Sequence, residues 1–336
     1  MIANNGLLED KNVVVTGGAG FIGSALTREL LIRKANVVVY DNYLYGSKDN
    51  LKEIEQDITI INGDILSWKM FQVMKDYKAD YVFHLAAEPY IPRCYDHPEK
   101  FIDVNIRGTM NVLAACKVAD VKRVACFSSS EVYGTAKYVP MDEDHPTLPL
   151  STYAVSKLAA DRICFVLHKE QKIPVVIIRP FNCYGPRETQ PYIIPEIISQ
   201  LNRGNVLRLG NLNARRDFTY VDDTAKAAVD IMLSDIPNGE VINIGSKTNH
   251  SVKEIAHQIA QIMGNSDVKI EIDPKRLRPC DVEVLSCDYK KALACIGWQP
   301  QTSFAEGLKR TVDWYVSHNH CWPWENLTNG TIMNGK

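Results

Sequence analysis

The sequence predicts an α/β fold: a doubly wound parallel sheet followed by a smaller C-terminal α/β lobe. Three observations predict it. Short β-branched runs alternate with amphipathic helical stretches through the first half of the chain. A glycine-rich turn follows the first run, and after Pro180 the rhythm loosens as prolines and glycines crowd residues 180–215. Regular alternation implies parallel strands covered on both faces, and right-handed crossovers then wind the sheet in both directions.

Strands are expected at Asn12–Thr16, Ala35–Asp41, Ile58–Ile61, Tyr81–Leu85, Arg123–Ser128 and Val175–Arg179. Helical periods lie between them, the clearest from Phe101 to Ala119 and from Tyr153 to Lys169. This organisation places a dinucleotide-binding domain over residues 1–180 and a substrate lobe over 181–330. The chain is expected to cross back to the sheet near 217–245, with a strand around Glu240–Ile244. The polar stretch 319–336 is expected to fray.

The 336 residues are 46% hydrophobic and 23% charged, enough for one large core or two coupled domains. A net charge of -2 gives no general attraction to nucleic acid or to an anionic membrane. An anionic ligand must be gripped by a few placed groups. Nine cysteines stand singly, without a C-x-x-C pair, which suits reduced thiols in a cytoplasmic protein. Met1 to Asp10 lacks the pattern of a signal peptide, and no apolar run is long enough to span a bilayer. The sequons at Asn249, Asn326 and Asn329 are then expected to be unused. No metal is expected: His318-Asn319-His320-Cys321 lies in a polar stretch, and His84, at a strand end, reads as a packed core residue.

The strongest local signal is Thr16-Gly17-Gly18-Ala19-Gly20-Phe21-Ile22-Gly23, directly after an apolar strand and opening a helix at Phe21 and Ile22. Gly17 permits the tight turn, Gly20 lets backbone approach a pyrophosphate, and Gly23 allows close helix–strand packing. The helix N-terminus then offers N–H groups and a positive dipole end to phosphate. About 20 residues on, the second strand ends in Asp41, followed by Asn42. An acid there holds ribose hydroxyls and repels a 2′-phosphate, so a Rossmann site for NAD is predicted. Asp64 and Ile65, closing the third strand, are expected at the adenine; Leu85, Ala86 and Ala87 let the cofactor lie close to backbone, and Pro180 is expected beside it.

Tyr153 and Lys157 stand one helical turn apart on one face. A phenol is a poor base at neutral pH, and a nearby ammonium favours its ionised form. Tyr153 is thereby fitted to take a proton from an alcohol as the cofactor oxidises it. Ser129, at the end of the fifth strand, is placed to hydrogen-bond that hydroxyl, and Ser130 and Glu131 follow it into the crevice where strand C-termini converge.

These residues together resemble the extended short-chain dehydrogenase/reductase family, the NAD-dependent epimerases and dehydratases of nucleotide sugars, from the glycine motif to about Trp298. The resemblance puts the family's catalytic residues on Ser129, Tyr153 and Lys157, and its helix asparagine on Asn105. It puts Asn182, Arg187, Arg216 and Arg278 at the sugar diphosphate. It also implies a homodimer through a four-helix bundle, for which the apolar faces of Val104, Met110, Val112 and Leu113, then Leu158, Ile163, Val166 and Leu167, are available.

Glu131 matches the glutamate base of nucleotide-sugar 4,6-dehydratases. Ser130-Glu131 resembles GDP-mannose dehydratases and equally UDP-glucuronate decarboxylases, so the pair alone does not choose. The segment from Leu85 through Glu88 and Arg93 to Cys94 resembles dehydratases, which places Glu88 and Arg93 at the substrate. Gly185-Pro186-Arg187, Leu209-Gly210-Asn211, Arg216-Asp217-Phe218 and Arg276-Leu277-Arg278-Pro279 resemble dehydratases of the legionaminic-acid type, which act on nucleotide-linked N-acetylglucosamine. The expectation is a 4,6-dehydratase; the alternatives are a decarboxylase or 4-epimerase with the same cofactor chemistry. A non-catalytic NAD-binding module predicts decay at Ser129, Tyr153 or Lys157, and all three are intact.

Overall fold

A computed structural model describes residues 7–318. Its centre is a seven-stranded sheet, all parallel, in the order β10-β6-β5-β4-β1-β2-β3. The strands are β1 (Asn12–Thr16), β2 (Asn36–Asp41), β3 (Ile58–Asn62), β4 (Tyr81–His84), β5 (Arg123–Phe127), β6 (Val175–Pro180) and β10 (Val241–Ile244). Strands covered on both faces must be apolar on both: β5 and β6 are buried along their whole length.

Two cores sandwich the sheet. On one face α1 (Phe21–Ile32) packs beside α7 (Val221–Leu233) over Val13, Val15, Val37 and Val39. On the other, α2 (Lys69–Asp76), α4 (Thr109–Val118) and α5 (Thr152–Gln171) cover Val14, Val38, Val82 and Val124. A short α3 (Pro98–Phe101) runs into α4 through a π-helical stretch, Ile102–Gly108, which carries Asn105 inward at 1% exposure.

The smaller lobe is built from β7 (Asn182–Tyr184), α6 (Ile193–Arg203), β8 (Val206–Leu209), β9 (Arg215–Tyr220), β11 (Asn249–Ser251), α8 (Val252–Ile262) and β12 (Lys269–Ile272). β9 pairs with β7 and β11, and β8 with β12, while α9 (Lys290–Ile296) and α10 (Phe304–Ser317) close the described chain. α7 and β10 carry the chain back to the large sheet, where β10 pairs with β6. Asp217 pins the lobe: its buried carboxylate accepts from the Ser246, Lys247 and Cys287 N–H groups at 2.6, 2.8 and 2.8 Å. Among the described residues no helix is long and apolar enough to cross a membrane.

Of the apolar faces expected to pair in a dimer, Met110 and Val166 are exposed, whereas Val112 and Leu113 are spent in the core of the subunit. His318 stacks on Trp314, and the rest of the His318–Cys321 run, with Asn326 and Asn329, lies outside the described residues. Asn249 accepts from the Arg215 guanidinium at 2.5 Å.

Candidate active site

The C-terminal ends of the central strands open into a cleft of about 810 Å³, whose far wall is α6, β8, β9 and the loop 275–281. β5 delivers the chemical groups. Ser129 caps the turn Ser130–Tyr133, its hydroxyl accepting from the Glu131 N–H at 3.2 Å. This turn points Ser129, Ser130 and Glu131 into the cleft while keeping each at least nine-tenths buried. α5 brings Tyr153 and Lys157 to the same place; Ser151 caps that helix through the Ala154 N–H at 3.1 Å, which fixes where its first turn begins.

The expected influence of Lys157 on the phenol is not the dominant one here. Burial pushes Tyr153 up to about 12, with a hydrogen bond to Ser129 pulling down and the Glu131 charge pushing up. The Lys157 ammonium donates instead to the Phe127 carbonyl at 2.5 Å, and burial lowers its own pKa. Lys157 is therefore buried at the end of β5, beside a half-buried Tyr153, and spends a donor on the strand that carries Ser129.

Glu131 faces the small lobe, 3.9 Å from Arg216 Nε. Arg216, on β9, donates to the Val282 carbonyl at 2.7 Å and to Asp281 at 3.2 Å. Arg278 approaches the same Asp281 at 3.7 Å, and Asn211 donates to its other oxygen at 3.1 Å. Arg276, outside the predicted set, pairs with Glu196 at 2.7 Å. Three guanidinium groups and Lys275 thus share this wall. Three buried cleft atoms, Ser128 Oγ, Asn182 Oδ1 and Glu188 Oε2, have no hydrogen-bond partner among the described residues. Orphaned polar atoms cost about 1–3 kcal/mol each, so the cleft is shaped for a polar ligand.

The family model described as GDP-mannose 4,6 dehydratase matches residues 14–311. The chain belongs to the extended short-chain dehydrogenase/reductase family of NAD-dependent epimerases and dehydratases. A UDP-N-acetyl-alpha-D-glucosaminuronate decarboxylase of Bacillus cytotoxicus is 34% identical over 318 residues, 91% of this chain and 98% of its own. A dTDP-glucose 4,6-dehydratase of Streptomyces venezuelae, solved with NAD bound, superposes with a TM-score of 0.86 at 30% identity over 93% of this chain and 99% of its own. A UDP-glucose 4-epimerase of Thermotoga maritima, solved with UDP-glucose, gives 0.85 at 29% identity over 92% and 99%. Three reactions are thus represented at similar distance. This epimerase/dehydratase is a nucleotide-sugar-modifying enzyme that uses NAD.

The cleft of this family member fits that cofactor. Gly17 sits at φ +73°, and a Cβ there would lie 2.7 Å from Ala86 N; one on Gly23 would lie 2.1 Å from the Gly17 carbonyl. No side chain caps α1 at Gly20, leaving its leading N–H groups to a phosphate. Asp41 accepts from the Ala19 and Tyr43 N–H groups at 2.9 and 2.8 Å, and Asn42 donates to Asp64 at 2.9 Å. Gly20, Phe21, Ile22, Ile65, Leu85, Ala87 and Pro180 line the same cavity.

Three predicted residues lie elsewhere. Arg187 pairs with Glu53 at 2.7 Å and rests over Trp314, away from the cleft lining, because its left-handed backbone (φ 70°) turns it out. Asn105 is a spacer behind the wall: it accepts from the Glu88 N–H at 2.7 Å and donates to the Glu88 carbonyl at 3.2 Å and to Ser156 Oγ at 2.9 Å. Arg93 lies over the Tyr45 ring, 5.2 Å from its centroid. Glu88 does line the cleft, with its carboxylate taken by the Tyr45 hydroxyl. Tyr45 and Glu188 also line the cleft, and no local signal in the sequence marks either of them.

Proposed function

We propose that the chain is a nucleotide-sugar 4,6-dehydratase acting on nucleotide-linked N-acetylglucosamine or glucose. What carries this reading is the Glu131 carboxylate, buried in the cleft two residues beyond Ser129, taken together with the dehydratase-like segment from Leu85 to Cys94, whose Glu88 lines the same cleft. NAD, when bound, supplies reversible oxidation at carbon 4 and reduction at carbon 6 of the sugar. Tyr153 takes the proton of the carbon 4 hydroxyl, Ser129 orients that hydroxyl, and Lys157 holds the site together through Phe127. A ketone at carbon 4 acidifies the carbon 5 proton, and Glu131 removes it. The protonated Glu131 then delivers that proton to the hydroxyl that leaves carbon 6 as water, with Ser130 assisting by hydrogen bonding, since no aspartate stands at position 130 to do so. As carbon 6 is reduced, the proton Tyr153 took from the carbon 4 hydroxyl restores Glu131, which returns it to carbon 5. Arg216 and Arg278 hold the diphosphate with forked donors.

The test is incubation of the purified protein with UDP- and GDP-N-acetylglucosamine, dTDP-glucose and UDP-glucuronate, read by mass spectrometry. Loss of one water supports dehydration. Loss of carbon dioxide, or a product of unchanged mass inverted at carbon 4, overturns it. On the substrate that loses water, Glu131→Gln is expected to slow turnover ~10²–10⁴-fold while NAD stays bound. Full turnover in that variant removes Glu131 from the mechanism.

A further inference from the structure

The loop after β2 and the segment after β4 flank β1 in the sheet, so the glycine turn at the end of β1 lies between them. Across that gap the Tyr45 hydroxyl donates to the Glu88 carboxylate. Both side chains line the cleft, and Glu88 is 1% exposed. Each end of this contact is anchored. The Tyr45 loop is tied down by the Ser47 N–H and the Asn50 amide, both donating to the Ala19 carbonyl at 3.0 and 3.1 Å. Glu88 is fixed at its backbone by the reciprocal pair with Asn105. Arg93 braces the junction, 4.0 Å from the Glu88 carboxylate and over the Tyr45 ring.

We infer that Tyr45 and Glu88 form a strap across the glycine turn that retains the bound dinucleotide between turnovers. The strap rests on the assignment of the cofactor and is independent of which sugar reaction follows. A dinucleotide lying on the turn leaves outward only when this bond parts. A hydroxyl–carboxylate bond with a buried acceptor is among the stronger side-chain contacts, and the guanidinium over the ring adds to it. Retention suits chemistry in which the cofactor is oxidised and restored within one turnover. Tyr45 is a positioning residue in this scheme, acting through Glu88.

The experiment loads the full chain with NADH and chases it with excess NAD in a stopped-flow fluorimeter, with no sugar present. Tyr45→Phe keeps the ring under Arg93 and removes only the hydroxyl; release is expected to quicken at least tenfold. Glu88→Met, which keeps the length of the side chain and removes the acceptor, is expected to quicken it similarly, and the double variant to be no faster than the faster single one, since both break one bond. Tyr43→Phe, in the same loop but outside the cleft lining, is expected to release at the parental rate. Release from Tyr45→Phe at the parental rate overturns the strap, as do equal acceleration by Tyr43→Phe and multiplicative effects in the double variant. Melting curves of each variant check that the fold is intact. Failure to bind NADH in the parent protein would instead count against the cofactor site itself.

Discussion

The two walls of the cleft are built from different materials. The wall at β1, β2 and β4 is largely backbone: a glycine turn, an uncapped helix start and strand ends, with Asp41 spending its carboxylate on the Ala19 and Tyr43 N–H groups. The wall at β9 and the loop 275–281 is made of long side chains, Arg216, Arg276 and Arg278, held by Asp281 and Glu196. Backbone holds its shape only while nothing larger occupies it. Side chains hold theirs through partners that can be exchanged one at a time. Damage on the first wall is therefore expected to be all-or-none, and on the second graded.

Gly23→Val is the harshest way to break that contrast. A Cβ at this position would meet the Gly17 carbonyl at 2.1 Å, so α1 must lift from the turn that its N-terminus shares with the cofactor. NAD affinity is expected to fall at least ~100-fold, equivalent to ~2.7 kcal/mol, measured by titration of intrinsic fluorescence. A variant that bound NAD normally would show that the turn yields, and the distinction between the walls would lose its basis.

The same contrast explains what the sequence made legible. Backbone structure leaves periodic and local traces: β1, β2 and β3 fall within one residue of the expected limits, and the strand at Val241–Ile244 returns to the sheet where residues 240–244 suggested. Side-chain structure leaves almost none. Tyr45 finds its partner 43 residues away, and Arg276 finds Glu196 80 residues away, neither marked by spacing. β7 and β11 are three residues each, too short for a period, so the pairing of β9 with them was not foreseen. Arg187 looked like a ligand-gripping arginine because of the motif around it; its left-handed backbone, which nothing in Gly-Pro-Arg announces, turns it to Glu53.

Graded damage is expected on the second wall. Arg216 is buried with its partners, and Arg216→Met leaves Asp281 with weaker company while removing one fork from the proposed diphosphate grip. KM for the nucleotide sugar is expected to rise ~10–100-fold, and kcat to fall as well because the cation also faces Glu131. Arg278→Met, at a side chain one-third exposed, is expected to raise KM only ~3–10-fold. Equal effects of the two substitutions would mean that the wall acts as a unit, as the first one does.

The floor beneath both walls has a signature of its own, read in pH rather than in binding. His84 at the end of β4 is fully buried between two hydroxyls, Thr16 Oγ1 at 2.8 Å from Nδ1 and Thr109 Oγ1 at 2.9 Å from Nε2. Thr109 spends its proton on the Asn105 carbonyl at 2.6 Å, so Nε2 must donate to it and Nδ1 must accept from Thr16. A second ring proton, on Nδ1, would force the Thr16 hydroxyl to turn and give up its donation. Burial, helped by the Lys157 charge, accordingly lowers the His84 pKa to about 3. An unfolded histidine titrates near 6.5, so between those values the unfolded chain binds a proton that the folded one refuses. The stability this group contributes is complete above ~6.5 and drains away as pH falls towards 3, by at most ~1.4 kcal/mol per pH unit. Replacing it as His84→Gln is expected to lower stability at pH 7.5 but to flatten the decline between pH 6 and 4, read from urea unfolding at each pH. Parallel declines in the two proteins would mean that the floor admits the proton, and that the backbone wall above it is softer than its geometry implies.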